Sequence, residues 1–72
     1  MIILGWLDMG IGRRPYHAIQ ADGWSVCQNR YAGNEDREAV LARLVADPPM
    51  HLRCEQCMRL LAHAAASEEA TL

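Results

Sequence analysis

Tyr16-His17-Ala18-Ile19-Gln20-Ala21-Asp22-Gly23-Trp24-Ser25-Val26-Cys27 is the stretch whose reading decides the fold. Residues 16–20 and 24–27 flank Ala21-Asp22-Gly23, and a three-residue loop ending in glycine suits a type I turn followed by a G1 bulge. That turn fixes a register. Gln20 faces Trp24, Ile19 faces Ser25, Ala18 faces Val26 and His17 faces Cys27. Directly opposed residues have Cβ atoms about 4.5–5.5 Å apart. A β-hairpin here therefore sets an imidazole beside a thiol on one sheet face.

The second half of the chain carries a matching feature, Cys54-Glu55-Gln56-Cys57. Two intervening residues let both sulfurs reach one ion, and the backbone N–H groups of a helix start lower thiol pKa values. The same spacing occurs in redox proteins beside a thioredoxin-like βαβ pattern, which this sequence lacks. With His17 and Cys27 it makes two chelating pairs from separate elements, a Cys3His set suited to tetrahedral Zn2+. His51, just before Cys54, is the alternative histidine ligand; His63 falls on a different helix face. Arg13, Arg53 and Arg59 are placed to offset the charge of the site.

Four protein ligands leave no open position for water or substrate, which catalytic zinc requires. Zinc deaminases use H-x-E followed by P-C-x-x-C. Here the corresponding residues are His17-Ala18-Ile19, without the glutamate, and Arg53 rather than proline precedes Cys54. The chain is also short for that fold, so no enzymatic activity is expected.

Composition agrees with a metal-dependent fold. Seventy-two residues make one domain, and a chain of this size buries only about 60% of its unfolded surface. Phe is absent and much of the 51% hydrophobic content is alanine. Small domains with such cores lean on disulfides, a metal or a partner chain. Three cysteines cannot all pair within one chain. The apolar start lacks the basic segment of a signal peptide, and no run approaches the ~20 apolar residues of a membrane span. A reducing, cytoplasmic setting is the expectation. The formal charge of -2 drops by about one more when three thiolates and a neutral imidazole hold Zn2+. That balance weighs against nonspecific nucleic-acid binding. All seven basic residues are arginine, a usage that fits a GC-rich genome.

The remaining organisation follows from local signals. Residues 1–15 form an apolar N-terminal arm or an extra strand, with Met9 as an alternative translation start. Asn34 is the expected N-cap of a middle helix, with Glu35 and Asp36 in its first turn. Val40, Leu41, Leu44 and Val45 recur at helical spacing, and Asp47-Pro48-Pro49 stops the run. Residues 50–53 read as an extended lead-in. A second helix over 55–66 carries a stripe of Met58, Leu60, Leu61, Ala64 and Ala65. Residues 67–72 read as a flexible tail. The expected fold is α+β: a small zinc-stabilised domain over 16–66, a β-hairpin plus two helices, treble-clef or zinc-ribbon-like in parts.

Tyr16-His17-Ala18, Gly23-Trp24-Ser25-Val26-Cys27 and Cys54-Glu55-Gln56-Cys57-Met58-Arg59-Leu60-Leu61, in that order, resemble small zinc-finger proteins common in actinobacteria and their phages. The resemblance covers residues 16–62 and implies His17, Cys27, Cys54 and Cys57 as ligands. Gln28 stands where the pattern has glycine. The expected role is a protein–protein interaction module or regulator, such as a phage-encoded effector of a host protein. Trp and Arg are enriched at binding hot spots, which singles out Trp6, Trp24, Arg13 and Arg14; Trp6 also suits a core poor in aromatics. Self-association through the apolar arm is a variant. The alternative is a nucleic-acid-binding zinc finger using Arg13, Arg14, Arg30, Arg53 and Arg59, against which stand the net charge and the absence of a C2H2 reading helix.

Overall fold

In a computed structural model that describes residues 2–70, with side chains through residue 65, two antiparallel strands organise the molecule. Strand β1 is Ile3–Asp8 and strand β2 is Tyr16–Gln20. Their register pairs Gly5 with Ile19, Trp6 with Ala18, Leu7 with His17 and Asp8 with Tyr16, with a bulge between Ile3 and Gly5. The connection is closed by Asp8, whose Oδ1 accepts from the Gly10 N–H at 2.7 Å, and by Met9 N–H donating to Pro15 O at 2.9 Å. Of the two readings of the N-terminal segment, the strand is the one observed.

Successive strand residues point to opposite faces, and the core divides accordingly. Trp6 and Ala18 join Val26, Cys27 and Cys57 in one buried cluster. Their neighbours Leu7 and Ile19 join Ala32 and Val40 in another.

The hairpin over 16–27 keeps its expected register but not its second strand. Ile19 bridges Ser25, Gln20 N–H donates to Trp24 O at 2.9 Å, and Val26 N–H donates to Ala18 O at 2.8 Å. The chain then leaves the ladder. Ser25 N–H donates to Arg30 O, and Gln28 N–H to Ser25 O, both at 2.9 Å. This tight turn aims Cys27 inward and ends the pairing, so the partner of β2 along its full length is β1.

Helix α1 spans Arg37–Arg43, with Asp36 at its N-cap rather than Asn34. It stops short of the helical pattern in the sequence. Trp6 N–H donates to Val45 O at 2.9 Å and Val45 N–H to Trp6 O at 2.8 Å, and this exchange with β1 requires extended backbone at Leu44 and Val45. Residues Met50–Leu52 form a 3-10 turn after the two prolines instead of an extended segment. Helix α2, Glu55–Ala70, runs beyond the expected residue 66. Met58 and Leu61 pack on the Trp6 cluster, whereas Leu60 is exposed. Of the expected tail, residues 67–70 continue the helical backbone, and Thr71 and Leu72 lie outside the described residues. The architecture is thus α+β, two antiparallel strands with two helices and a compact His/Cys cluster.

Candidate metal centre

His17 is the second residue of β2, Cys27 comes from the turn that follows residue 26, Cys54 from the residue before α2 and Cys57 from its first turn. Their four potential ligand atoms all lie within 4.8 Å of one another. His17 Nδ1 is 3.5 Å from Cys27 Sγ and 3.9 Å from Cys57 Sγ. Zn–S bonds of ~2.3 Å and Zn–N bonds of ~2.0–2.1 Å, set tetrahedrally, put ligand atoms about 3.5–3.8 Å apart. The two measured separations therefore lie close to the edges of a zinc tetrahedron. All three cysteines are free thiols. His17, Cys27 and Cys57 are buried and Cys54 is half-buried.

Two local devices bring these residues together. The first is the turn at Cys27. Fully buried Ser25 places its Oγ 3.2 Å from Cys27 Sγ, and the same oxygen accepts from Arg30 N–H at 3.2 Å. Gln28 closes the turn at φ 61°, in the left-handed region. That conformation is one that glycine adopts without strain, since it has no Cβ to oppose it. The second device is a clamp on the entrance to α2. Cys54 N–H donates to Tyr16 O at 2.7 Å, and Arg53 bridges Tyr16 in parallel fashion. With Cys54 tied one residue from His17, the first turn of α2 carries Cys57 to the same point.

Arg53 anchors this clamp, a role the sequence reading did not foresee. Its Nε donates to Pro48 O at 2.8 Å, its guanidinium pairs with Asp47, and its Cζ lies 5.2 Å from the Trp6 ring centroid. Arg14 in turn donates to Arg53 O at 3.2 Å. Burial first, and then the Arg30 charge, lower the pKa of His17. Both effects hold the imidazole in the neutral form that binds metal. Burial pushes the Cys57 thiol up to about 12 despite backbone hydrogen bonds from Ala18 and Cys27. At Cys27 burial acts in the same direction, but hydrogen bonds from Ser25, the Asn29 backbone and the neighbouring thiols outweigh it and leave the pKa lowered. Crowded thiols cannot all ionise against one another, and a bound dication reverses that preference.

The other candidates fall elsewhere. His51 and His63 are exposed and stand outside the cluster. Trp6 is only 5% exposed and is a core residue rather than a surface anchor. Trp24 is 42% exposed and packs on Tyr31 in a tilted arrangement with ring centroids 4.7 Å apart. Arg13 is exposed, while Arg14 is half-buried against Arg53. No described helix is long and apolar enough to cross a membrane.

Sulfur and imidazole donors in this number favour a soft or borderline ion such as zinc over hard cations, which take oxygen ligands. The arrangement is a buried His/Cys cluster compatible with structural metal binding in a small domain. No protein family, curated protein or solved structure matches the chain.

Proposed function

We propose that this chain is a small structural-zinc protein in which His17, Cys27, Cys54 and Cys57 close one Zn2+, and that the domain so held serves as a protein–protein interaction module or regulator in the cytoplasm. The observation that carries the metal reading is the convergence of four ligand atoms, from β2, a tight turn and the start of α2, within 4.8 Å. Zinc would supply folding free energy rather than chemistry, because a closed four-ligand site offers substrate no position. These four residues are also the ligands implied by the resemblance to the small zinc-finger proteins of actinobacteria and their phages. A phage-encoded effector of a host protein is one form that such a regulator would take.

Support for a protein partner comes from the surface. The tilted Trp24–Tyr31 pair and the exposed Leu4 and Leu41 give a small apolar surface. The acidic balance of the chain argues for a protein surface over a nucleic-acid backbone.

Native mass spectrometry of the purified protein, with and without a strong chelator, tests the metal. One zinc per chain, with a shift to an unfolded charge-state distribution on removal, is expected. A metal-free mass with a folded distribution would make the cysteines ordinary thiols and end the zinc reading.

A further inference from the structure

On the side of the sheet away from the Trp6 cluster lies a groove of about 280 Å3. Its floor is Ile19, Ala32 and Val40, three buried members of the second core cluster. Its walls are Leu4 from β1, Leu41 from α1 and Tyr31, each more than a third exposed. Gly33 makes this shape possible. A side chain there would overlap the Tyr31 ring, which lies directly over the glycine and also packs against Trp24 at a tilt. The cavity is smaller than the ~300–1,000 Å3 usual for cofactor and drug-sized ligands. It has the scale of a pocket for one large apolar side chain, the form a protein hot spot takes.

Charge selects the kind of side chain that flanks the anchor. Asp22 and Glu35 line the groove, and exposed Asp36 and Glu38 adjoin it. Against these four carboxylates stand Arg37 and Arg43, the latter already paired with Glu35 at 2.8 Å. Arg14, Arg30 and Arg53 are engaged elsewhere, in hydrogen bonds or ion pairs with Arg53 O, Asn29 O and Asp47 respectively. Counted with the residues that flank its lining in sequence, the groove rim carries four carboxylates against two guanidiniums. A second copy would bring the same acidic rim, so charge disfavours self-pairing through this face and favours a cationic partner.

We infer that this groove is the docking face, and that it receives an apolar anchor residue from a protein segment flanked by arginine or lysine. The inference rests on reading the domain as an interaction module and specifies the surface and the partner chemistry.

The probe is a displayed library of random linear peptides, selected on the immobilised, zinc-loaded full chain. Parallel selections use Leu41→Glu and, on the facing wall, Tyr31→Ser, both exposed positions. The expected result is a consensus with one large apolar residue between basic ones. A synthetic consensus peptide should lose at least roughly tenfold in affinity, about 1.4 kcal/mol, on either variant or when its basic residues become glutamate. No enrichment, an acidic or uncharged consensus, or enrichment indifferent to both substitutions would overturn the inference. So would a concentration-dependent dimer abolished by Leu41→Glu, which would make a second copy the occupant. Zinc content and fold are measured on the same preparations. A folded one-zinc chain that selects peptides at another surface defeats the groove and leaves the interaction module standing. A chain that folds without zinc defeats the metal reading whatever the groove does.

Discussion

Cys57→Ser is the sharpest perturbation of the proposed centre. Cys57 is fully buried, packs against Trp6, Ala18 and Val26, and sits 3.9 Å from His17 Nδ1. Serine nearly preserves the volume, so the packing loss is small and the experiment isolates the ligand. Structural zinc contributes on the order of 10–16 kcal/mol of apparent binding free energy in zinc-finger peptides. One ligand in four then corresponds to roughly 2.5–4 kcal/mol if shared evenly. Against this stands the total stability of a 72-residue chain, about 4–11 kcal/mol at ~0.05–0.15 kcal/mol per residue. The buried core is thin: besides Trp6, Leu7 and Ile19 it is made of alanine, valine and the cysteines themselves. A loss of that size removes much or all of the margin. The expected result is a weakly folded or unfolded chain with zinc affinity reduced by at least two orders of magnitude, roughly 2.7 kcal/mol. Circular-dichroism melts in stoichiometric zinc, together with the thiolate absorption of the cobalt-substituted protein, read both quantities. His63→Ala, at an exposed position outside the cluster, serves as the control and should change neither. A Cys57→Ser chain with unchanged melting and one zinc bound would refute the reasoning.

Three further outcomes are expected. Gln28→Gly removes a left-handed strain of about 1–2 kcal/mol and gives back about 0.5–1 kcal/mol of unfolded-chain entropy; a net gain of roughly 0.5–1 kcal/mol should raise the melting temperature by several degrees, and a lowered one would mean the side chain has a role of its own. Arg53→Lys cannot keep the Pro48 carbonyl, Asp47 and the Trp6 face together through a point charge; it should cost about 1–2 kcal/mol in denaturant titrations while one zinc per chain is retained. In chelator, stability should fall at both ends of the pH scale. The lowered pKa of His17 means the unfolded chain takes up the proton first as pH drops through about 6.5. The raised pKa of Cys57 means stability is present below about 9 and is lost as pH rises toward about 12. Zinc should abolish the alkaline loss, because a bound thiolate is already ionised; a zinc-loaded protein with the same alkaline melt would contradict thiolate ligation by Cys57.

What the sequence made legible was what local chemistry determines. The Ala21-Asp22-Gly23 turn fixes the pairing of Ile19 with Ser25, and that pairing holds. The same register set His17 facing Cys27, and their ligand atoms lie 3.5 Å apart. Two residues between Cys54 and Cys57 set their common reach, so the cluster could be assembled on paper before its elements were placed. What escaped was set by partners far along the chain. Val45 belongs to a helical pattern by its neighbours, yet Trp6 draws it into extended pairing and ends α1 at Arg43. Arg53 reads in sequence as a charge beside the metal site, with nothing to show that Trp6, Asp47 and Pro48 converge on it from other segments. Both misreadings trace to β1. A segment that admitted two descriptions in isolation supplies Trp6, the residue that terminates the first helix and receives the arginine clamping the entrance to the second. The metal ligands of residues 17–57 are therefore held in register partly by a strand outside them. Removing β1 should accordingly loosen the His/Cys cluster itself, a consequence that ligand spacing alone does not contain.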